Sequence, residues 1–273
     1  MNAEIIAIAN QKGGTAKTST AINLGVGLSK EGKKVLLVDA DPQGDLALSL
    51  GYQNPNELSH TLSDVISNHL TGQPLNLEAA IVHHTEGIDL LPANLRLAGI
   101  EADLINFEKR ESVLRQCLMP LKKQYSHILI DCPPSLGMLT INALGAANNV
   151  IIPVQSEYLA AKGLERLLQS IFLVRKSINP KIKIGGVLLT MVDNRTNFSK
   201  EIGQLLRETY GKNLNVFDNN IPRSIRAAEC TAVGESIFTH APKSTVAQAY
   251  QSLAKEVIQL EKQRERRKAD LCR

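Results

Sequence analysis

Five short, almost continuously apolar runs punctuate the chain: EIIAIA at 4–9, KVLLVDA at 34–40, HILIDC at 127–132, VIIPV at 150–154 and IGGVLLTMV at 184–192. Runs of this length with little polar alternation predict strands covered on both faces, as in a parallel sheet lying between two helical layers. Between them the apolar positions fall at helical spacing. Helices are expected over 17–30, closed by Gly32, over 137–147, and over 157–177, where Leu159, Gly163, Arg166 and Leu167 set the turn pattern. A last helix begins near Ser244 and offers Ala247, Tyr250, Leu253, Ala254, Val257 and Leu260 to the sheet. Strand–helix–strand repeats imply right-handed crossovers, so the expected fold class is α/β, a parallel sheet with helices on both faces in a single domain over 1–260. Residues 51–87, with turn clusters QNPNE and TGQP around TLSDVISNHL, read as a peripheral lobe, and 261–273 as a charged tail.

Composition changes this picture little. With 273 residues, 43% of them hydrophobic and 21% charged, the chain has the balance of an ordinary globular protein able to bury a sizeable core. No apolar run approaches the ~20 residues of a spanning helix, and 4–9 lacks the flank of a signal peptide, so a cytosolic location is expected. The four cysteines, Cys117, Cys132, Cys230 and Cys272, are scattered without a Cys-x-x-Cys pair, which argues for reduced thiols over a disulfide framework or a zinc site. The net charge of +4 is concentrated at the end, where EKQRERRKADLCR carries six basic and three acidic side chains. Mixed charge of that density also suits a solvated helix end.

The chemistry starts at 10–20. NQKGGTAKTST lies between the first strand and the first helix, the setting in which a glycine-bearing turn becomes a phosphate-binding loop. Backbone N–H groups and the positive end of the helix dipole face an anion there. The loop is expected to line a nucleotide with Lys12, Gly13, Gly14, Thr15, Ala16, Lys17, Thr18 and Ser19. As in P-loop nucleotide hydrolases, Lys17 would reach the terminal phosphates and the Thr18 hydroxyl would ligate Mg²⁺. The usual G-x-x-x-x-G-K-[ST] spacing is not met, since Gln11 and Ala16 occupy the glycine positions and Lys12 adds a second lysine.

Two further strands end in acids. VLLVDADPQG ends a strand at Asp39 and offers Asp41 on the loop, where it can orient or polarise an attacking water and approach the metal; HILIDCPPS puts Asp131 in place for the Mg²⁺ shell. Each acid alone could be a turn or cap residue; strand ends agreeing with one chemistry argue for a P-loop NTPase-like sheet that binds ATP and Mg²⁺. No glutamine or arginine finger is evident in the chain, so slow basal ATP hydrolysis is expected.

With those residues noted, KGGTAKTS, VDADPQG, LLPANLRLAGIE, LIDCPPSLG, PVQSEYLAAKGL and IPRSIRAAE resemble the ParA/Soj family of DNA-partitioning ATPases, over about residues 3–258. The loop with the extra lysine is shared with MinD and the nitrogenase iron protein; the later segments single out ParA/Soj. The resemblance implies an ATP-bound sandwich homodimer in which Lys12 crosses to the partner's phosphates. It also implies non-specific binding of double-stranded DNA, and hydrolysis stimulated by a ParB-like centromere-binding protein. It places the adenine near Asp193 and Pro222, and a basic DNA-facing surface near Arg223 and Arg226, with Arg195, Lys200, Arg207 and the tail as further candidates. It implies a nucleoid-associated, cytoplasmic protein without an N-terminal helix-turn-helix reader.

One departure is Ala16, where many relatives have glycine; if that position needs φ > 0, alanine costs stability and nucleotide affinity. A MinD-like membrane-placement ATPase is the alternative, but RERRKADLCR offers only Leu271 and Cys272 to a bilayer, so no membrane association is expected. A metabolic P-loop ligase or reductase is the third reading, for which no paired-cysteine cluster motif is present.

Overall fold

The computed structural model describes residues 2–156, 160–193, 195–211 and 214–271, without the side chains of 160–162, 197–200, 268, 269 and 271. Leu159 and Cys272 therefore lie outside the described residues, as does the Lys200 side chain. The strands are β1 (Glu4–Ile8), β2 (Val35–Asp39), β3 (Val82–His84), β4 (Ile88–Leu91), β5 (His127–Asp131), β6 (Asn149–Gln155) and β7 (Lys183–Thr190). They form one seven-stranded sheet in the order β3-β4-β2-β5-β1-β6-β7, parallel except for the antiparallel edge pair β3–β4. The helices are α1 (Lys17–Lys30), α2 (Asp45–Leu48), α3 (Leu62–Leu70), α4 (Leu77–Ala80), α5 (Arg96–Leu104), α6 (Val113–Leu118), α7 (Met138–Ala146), α8 (Ala160–Ser177), α9 (Asn197–Tyr210), α10 (Ile225–Val233), α11 (Ile237–His240) and α12 (Thr245–Leu271).

The continuous apolar runs resolve into two alternating faces. Ile5, Ala7, Leu36, Val38, Ile128 and Ile130 enter one core under α3–α9, whereas Ile6, Ile8, Val35, Leu37 and Leu129 enter a second core under α1, α2 and α10–α12. At the end of α1, Gly32 takes φ 77, and the Gly32 and Lys33 N–H groups close back on the carbonyls of Ser29 and Leu28. On its outer side α1 meets α12, with the Thr20 hydroxyl 3.3 Å from the Tyr250 hydroxyl.

Three expectations are corrected. Residues 51–87 are no peripheral lobe: Leu62, Val65 and Ile66 of α3 are buried in the first core, and a capping box between Thr61 and Asp64 starts that helix. The edge pair β3–β4 was not foreseen. Its strands are only three and four residues long, and β3 is the polar-rich VHH. The buried stripe of α8 is Leu164, Leu167, Ile171 and Val174, so Arg166 faces out.

The final helix runs on past Leu260, over 27 residues in all. Its later turns are fastened to the starting ends of the strands. His127 Nε2 lies 3.1 Å from Glu261 Oε2, and Arg264 donates to Asn149 Oδ1 at 2.5 Å and to the Gly185 carbonyl at 3.4 Å.

Candidate functional site

The sheet delivers its chemistry at the opposite ends of the strands. Helix α1 starts there without a side-chain cap and with no acid in its first turn, unlike α3, whose Thr61 and Asp64 satisfy the first N–H groups. A helix start left open in this way offers unpaired N–H groups and the positive end of its dipole to an anion. Gly14 takes φ 71 and Ala16 takes φ 63, ψ 35, both left-handed. At Gly14 this is free of strain; at Ala16 a Cβ pays ~1–2 kcal/mol for the same conformation. Ala16→Gly relieves it but adds freedom to the unfolded chain, so a net gain of about 0.5–1 kcal/mol is expected in a thermal or denaturant melt of the nucleotide-free protein. A lower melting point in that variant removes the strain argument.

Side chains from neighbouring strands hold the loop in shape. Asn10 accepts from the Lys12 N–H at 3.0 Å and donates to the Pro153 carbonyl at 2.6 Å. The Lys12 carbonyl receives the Thr15 hydroxyl and the Lys17 ammonium, each at 3.4 Å. Thr190 Oγ1 donates to the Thr15 carbonyl at 3.1 Å, and Gln155 Nε2 to the Gly14 carbonyl at 2.7 Å. The Lys12 ammonium is exposed, with Gln155 Oε1 at 3.0 Å. Lys17 is buried, and desolvation lowers its pKa against the opposing pull of Asp131 and Asp41.

The acids converge because β2 and β5 are neighbours in register, Asp39 opposite Asp131. Asp39 is fully buried and accepts from the N–H groups of Asp41 at 3.0 Å and Leu46 at 3.2 Å, which shapes the loop carrying Asp41. Burial raises the pKa of both Asp39 and Asp41. Asp131 is pushed up to about 7, chiefly by burial, although the hydroxyl of Thr18 and the charge of Lys17 pull the other way.

Among the described residues Asp131 Oδ1 is the one buried side-chain oxygen or nitrogen without a hydrogen-bond partner. A buried, unpartnered carboxylate oxygen beside a threonine hydroxyl is the donor chemistry that Mg²⁺ takes, so the residues present fit that ion.

A raised carboxyl pKa means that the folded chain holds the proton more tightly than the unfolded one. Stability of the nucleotide-free protein therefore falls as pH rises from the unfolded value of about 4 towards 7. Asp131→Asn is expected to flatten that decline. Melting temperatures across pH 5–8 check it, and an unchanged slope would assign the decline to other groups.

The remaining sequence candidates divide. Asp193 and Pro222 stand near the end of β7, linked by the bridge Val192–Pro222. The Asp193 carboxylate is engaged by the Arg195 guanidinium through two bonds of 2.9 Å, which hold its pKa at about 2. Arg195, Arg223 and Arg226 are exposed. Arg207 is half-buried and donates to the Phe217 carbonyl at 3.1 Å and Asn220 Oδ1 at 3.2 Å, so this guanidinium fastens α9 to the following loop and keeps its charge. Asn10, Gln155 and Thr190 escaped the sequence reading. The available signal was a polar residue closing an apolar strand, the same one that exposed Asp39 and Asp131.

The comparisons agree with this geometry. A family model described as an AAA domain matches residues 3–184. The chromosome partitioning protein ParA of Caulobacter vibrioides is 41% identical over 267 residues, covering 97% of each chain. The sporulation initiation inhibitor protein Soj of Bacillus subtilis is 42% identical over 254 residues, 93% of this chain and 98% of that one. A solved structure titled cobyrinic acid a,c-diamide synthase from Mycobacterium smegmatis, with bound ATP analogue and magnesium, superposes with TM-score 0.82 at 38% identity over 95% of this chain and 96% of that one. The cell division ATPase MinD of Pyrococcus furiosus superposes with TM-score 0.73 at 25% identity over 94% and 99%. With the two-lysine loop on β1, acids closing β2 and β5, and about two residues in five shared with ParA and Soj along nearly the whole length, the chain belongs to the ParA/Soj family of DNA-partitioning ATPases.

Proposed function

We propose that the protein is a nucleotide-driven partitioning switch: its ATP-bound homodimer holds double-stranded DNA without sequence preference, and hydrolysis, stimulated by a ParB-like partner, releases it. The observation that carries the nucleotide half is the unpartnered Asp131 oxygen, with the Thr18 hydroxyl bonded to the same carboxylate and buried Lys17 nearby. The N–H groups from Gly13 to Ser19 and the Lys17 ammonium would bind the phosphates of ATP, while Thr18 and Asp131 would hold Mg²⁺ with Asp41 close by. Bound Mg²⁺ supplies charge neutralisation on the phosphates. Asp41, on a loop fixed by Asp39, orients the attacking water, and Lys12, exposed at the surface, would exchange its present contacts for a partner subunit's phosphates. Asp193 and Pro222 border the adenine. Arg195, Arg223 and Arg226 supply charge to the DNA-facing surface, with Lys200 added from its sequence position.

The test is DNA retention with ATP, ADP and no nucleotide, run beside sedimentation of the same samples. ATP alone should give a dimer and retention, and Lys12→Ala should lose both while still binding ATP. Retention should fall about a hundredfold between 50 and 200 mM salt if roughly four phosphates are contacted. A Lys12→Ala chain that dimerises normally would remove that lysine from the interface. Binding to liposomes without DNA binding would favour the MinD-like alternative; among the described residues no helix is long and apolar enough to cross a membrane. The relative titled a diamide synthase supports a rival reading, ATP-dependent amidation of a small acid, which turnover stimulated by such an acid and indifferent to DNA would establish.

A further inference from the structure

We infer that Gln155 is a positioning residue with two separate tasks: its amide nitrogen turns the phosphate loop's N–H groups toward the nucleotide, and its amide oxygen holds Lys12 over its own subunit until ATP arrives. The second task rests on the reading of Lys12 given under Proposed function; the first does not.

The side chain closes β6 and sits between three elements. Nε2 donates to the Gly14 carbonyl at 2.7 Å and points at Met191 Sδ at 3.2 Å, while Oε1 faces the Lys12 ammonium at 3.0 Å. The two ends of the amide cannot be exchanged. A flipped side chain would set its NH₂ group against an ammonium and its oxygen against a carbonyl. The Gln155 oxygen is one partner of Lys12 among others, so it restrains that side chain without being its sole anchor.

A trans peptide points its C=O and the next N–H in opposite directions. Fixing the Gly14 carbonyl on Gln155 therefore aims the Thr15 N–H away from β6, and fixing the Thr15 carbonyl on Thr190, at 3.1 Å, aims the Ala16 N–H likewise. An anion site made of backbone donors depends on such second contacts, because the loop has no internal ladder to orient its planes. Met191, against which the same amide rests, takes φ 53, a left-handed conformation uncommon for a side chain of its size. Strain of that kind persists where surrounding contacts over-determine the backbone.

Two variants separate the tasks. Gln155→Leu removes both ends of the amide. Gln155→Glu keeps an oxygen for Lys12, now charged, and turns the other end into an acceptor facing the Gly14 carbonyl. Both should weaken Mg-ATP binding by the full-length chain about tenfold, the effect of one well-placed hydrogen bond, with melting temperatures within about 2 °C of wild type. At saturating ATP they should part: Leu dimerises at a lower protein concentration than wild type, and Glu needs a higher one. A purely structural defect moves both in the same direction. Unchanged ATP affinity in the Leu variant overturns the loop-orienting task, and dimerisation shifting alike in both overturns the restraint on Lys12. A wild-type chain that stays monomeric with ATP refutes the Lys12 reading and the restraint together, and the affinity result still decides the loop.

Discussion

Lys17→Ala is expected to lower ATP turnover by about 10²–10³-fold, the loss seen when one preorganised electrostatic donor is taken from a transition state. Only 7% of the Lys17 surface is exposed, and its ammonium is held 3.4 Å from the Lys12 carbonyl inside the curve of the loop. Burial disfavours its charge and the pull of Asp131 and Asp41 offsets this only in part, so the site already bears part of the desolvation cost before substrate enters. The variant also strips Asp131 of a compensating charge, which should hold its proton more firmly and weaken Mg²⁺ binding near pH 7. Phosphate release at saturating Mg-ATP is the measurement, and near-normal turnover would exclude Lys17 from the chemistry. Arginine should rescue little, because a planar guanidinium does not fit a slot built for a compact ammonium.

Asp41→Ala should separate binding from turnover. The Asp41 N–H keeps its 3.0 Å bond to Asp39 whatever side chain follows, so the loop retains its course and ATP affinity should change by less than about threefold. The carboxylate itself, which accepts the Gln43 N–H at 3.0 Å, is lost, and on the proposed role the attacking water would lose its alignment with it. A fall of about 10²–10⁴-fold in hydrolysis is expected, together with an ATP complex that stays on DNA long after wild type has released it. Unchanged phosphate release in this variant would end the water-positioning role.

The strands around the loop were readable in the sequence because a strand buried on both sides needs nothing but apolar residues, and their ends are marked by Asp39, Asp131 and the prolines that follow. Helix α1 was equally plain, bounded by the loop and Gly32. Residues 51–87 misled because TLSDVISNHL looks like an isolated amphipathic helix between turns. Only the burial of Leu62 and Ile66 in one cluster with the sheet's inner face shows that it closes the first core. The possible cost at Ala16 was legible as a condition on φ, and the left-handed backbone meets it. Gln155 was legible only as a polar residue closing an apolar strand. An uncharged amide there announces no particular chemistry, and its meaning comes from Lys12 and Gly14, more than a hundred positions earlier.

The attachment of α12 divides the molecule's positive charge between two poles. Glu261 and Arg264 grip the starting ends of β5 and β6, leaving Lys262, Arg266 and Arg267 exposed on the side away from Asp41, Asp131 and the loop. Arg223 and Arg226, by contrast, follow the Val192–Pro222 bridge at the pole that carries the two-lysine loop. On the proposed switch, charge on the far pole would hold a polyanion alike in every nucleotide state, as a constant tether. The gap between ATP and ADP retention would then arise from the arginines at the other end.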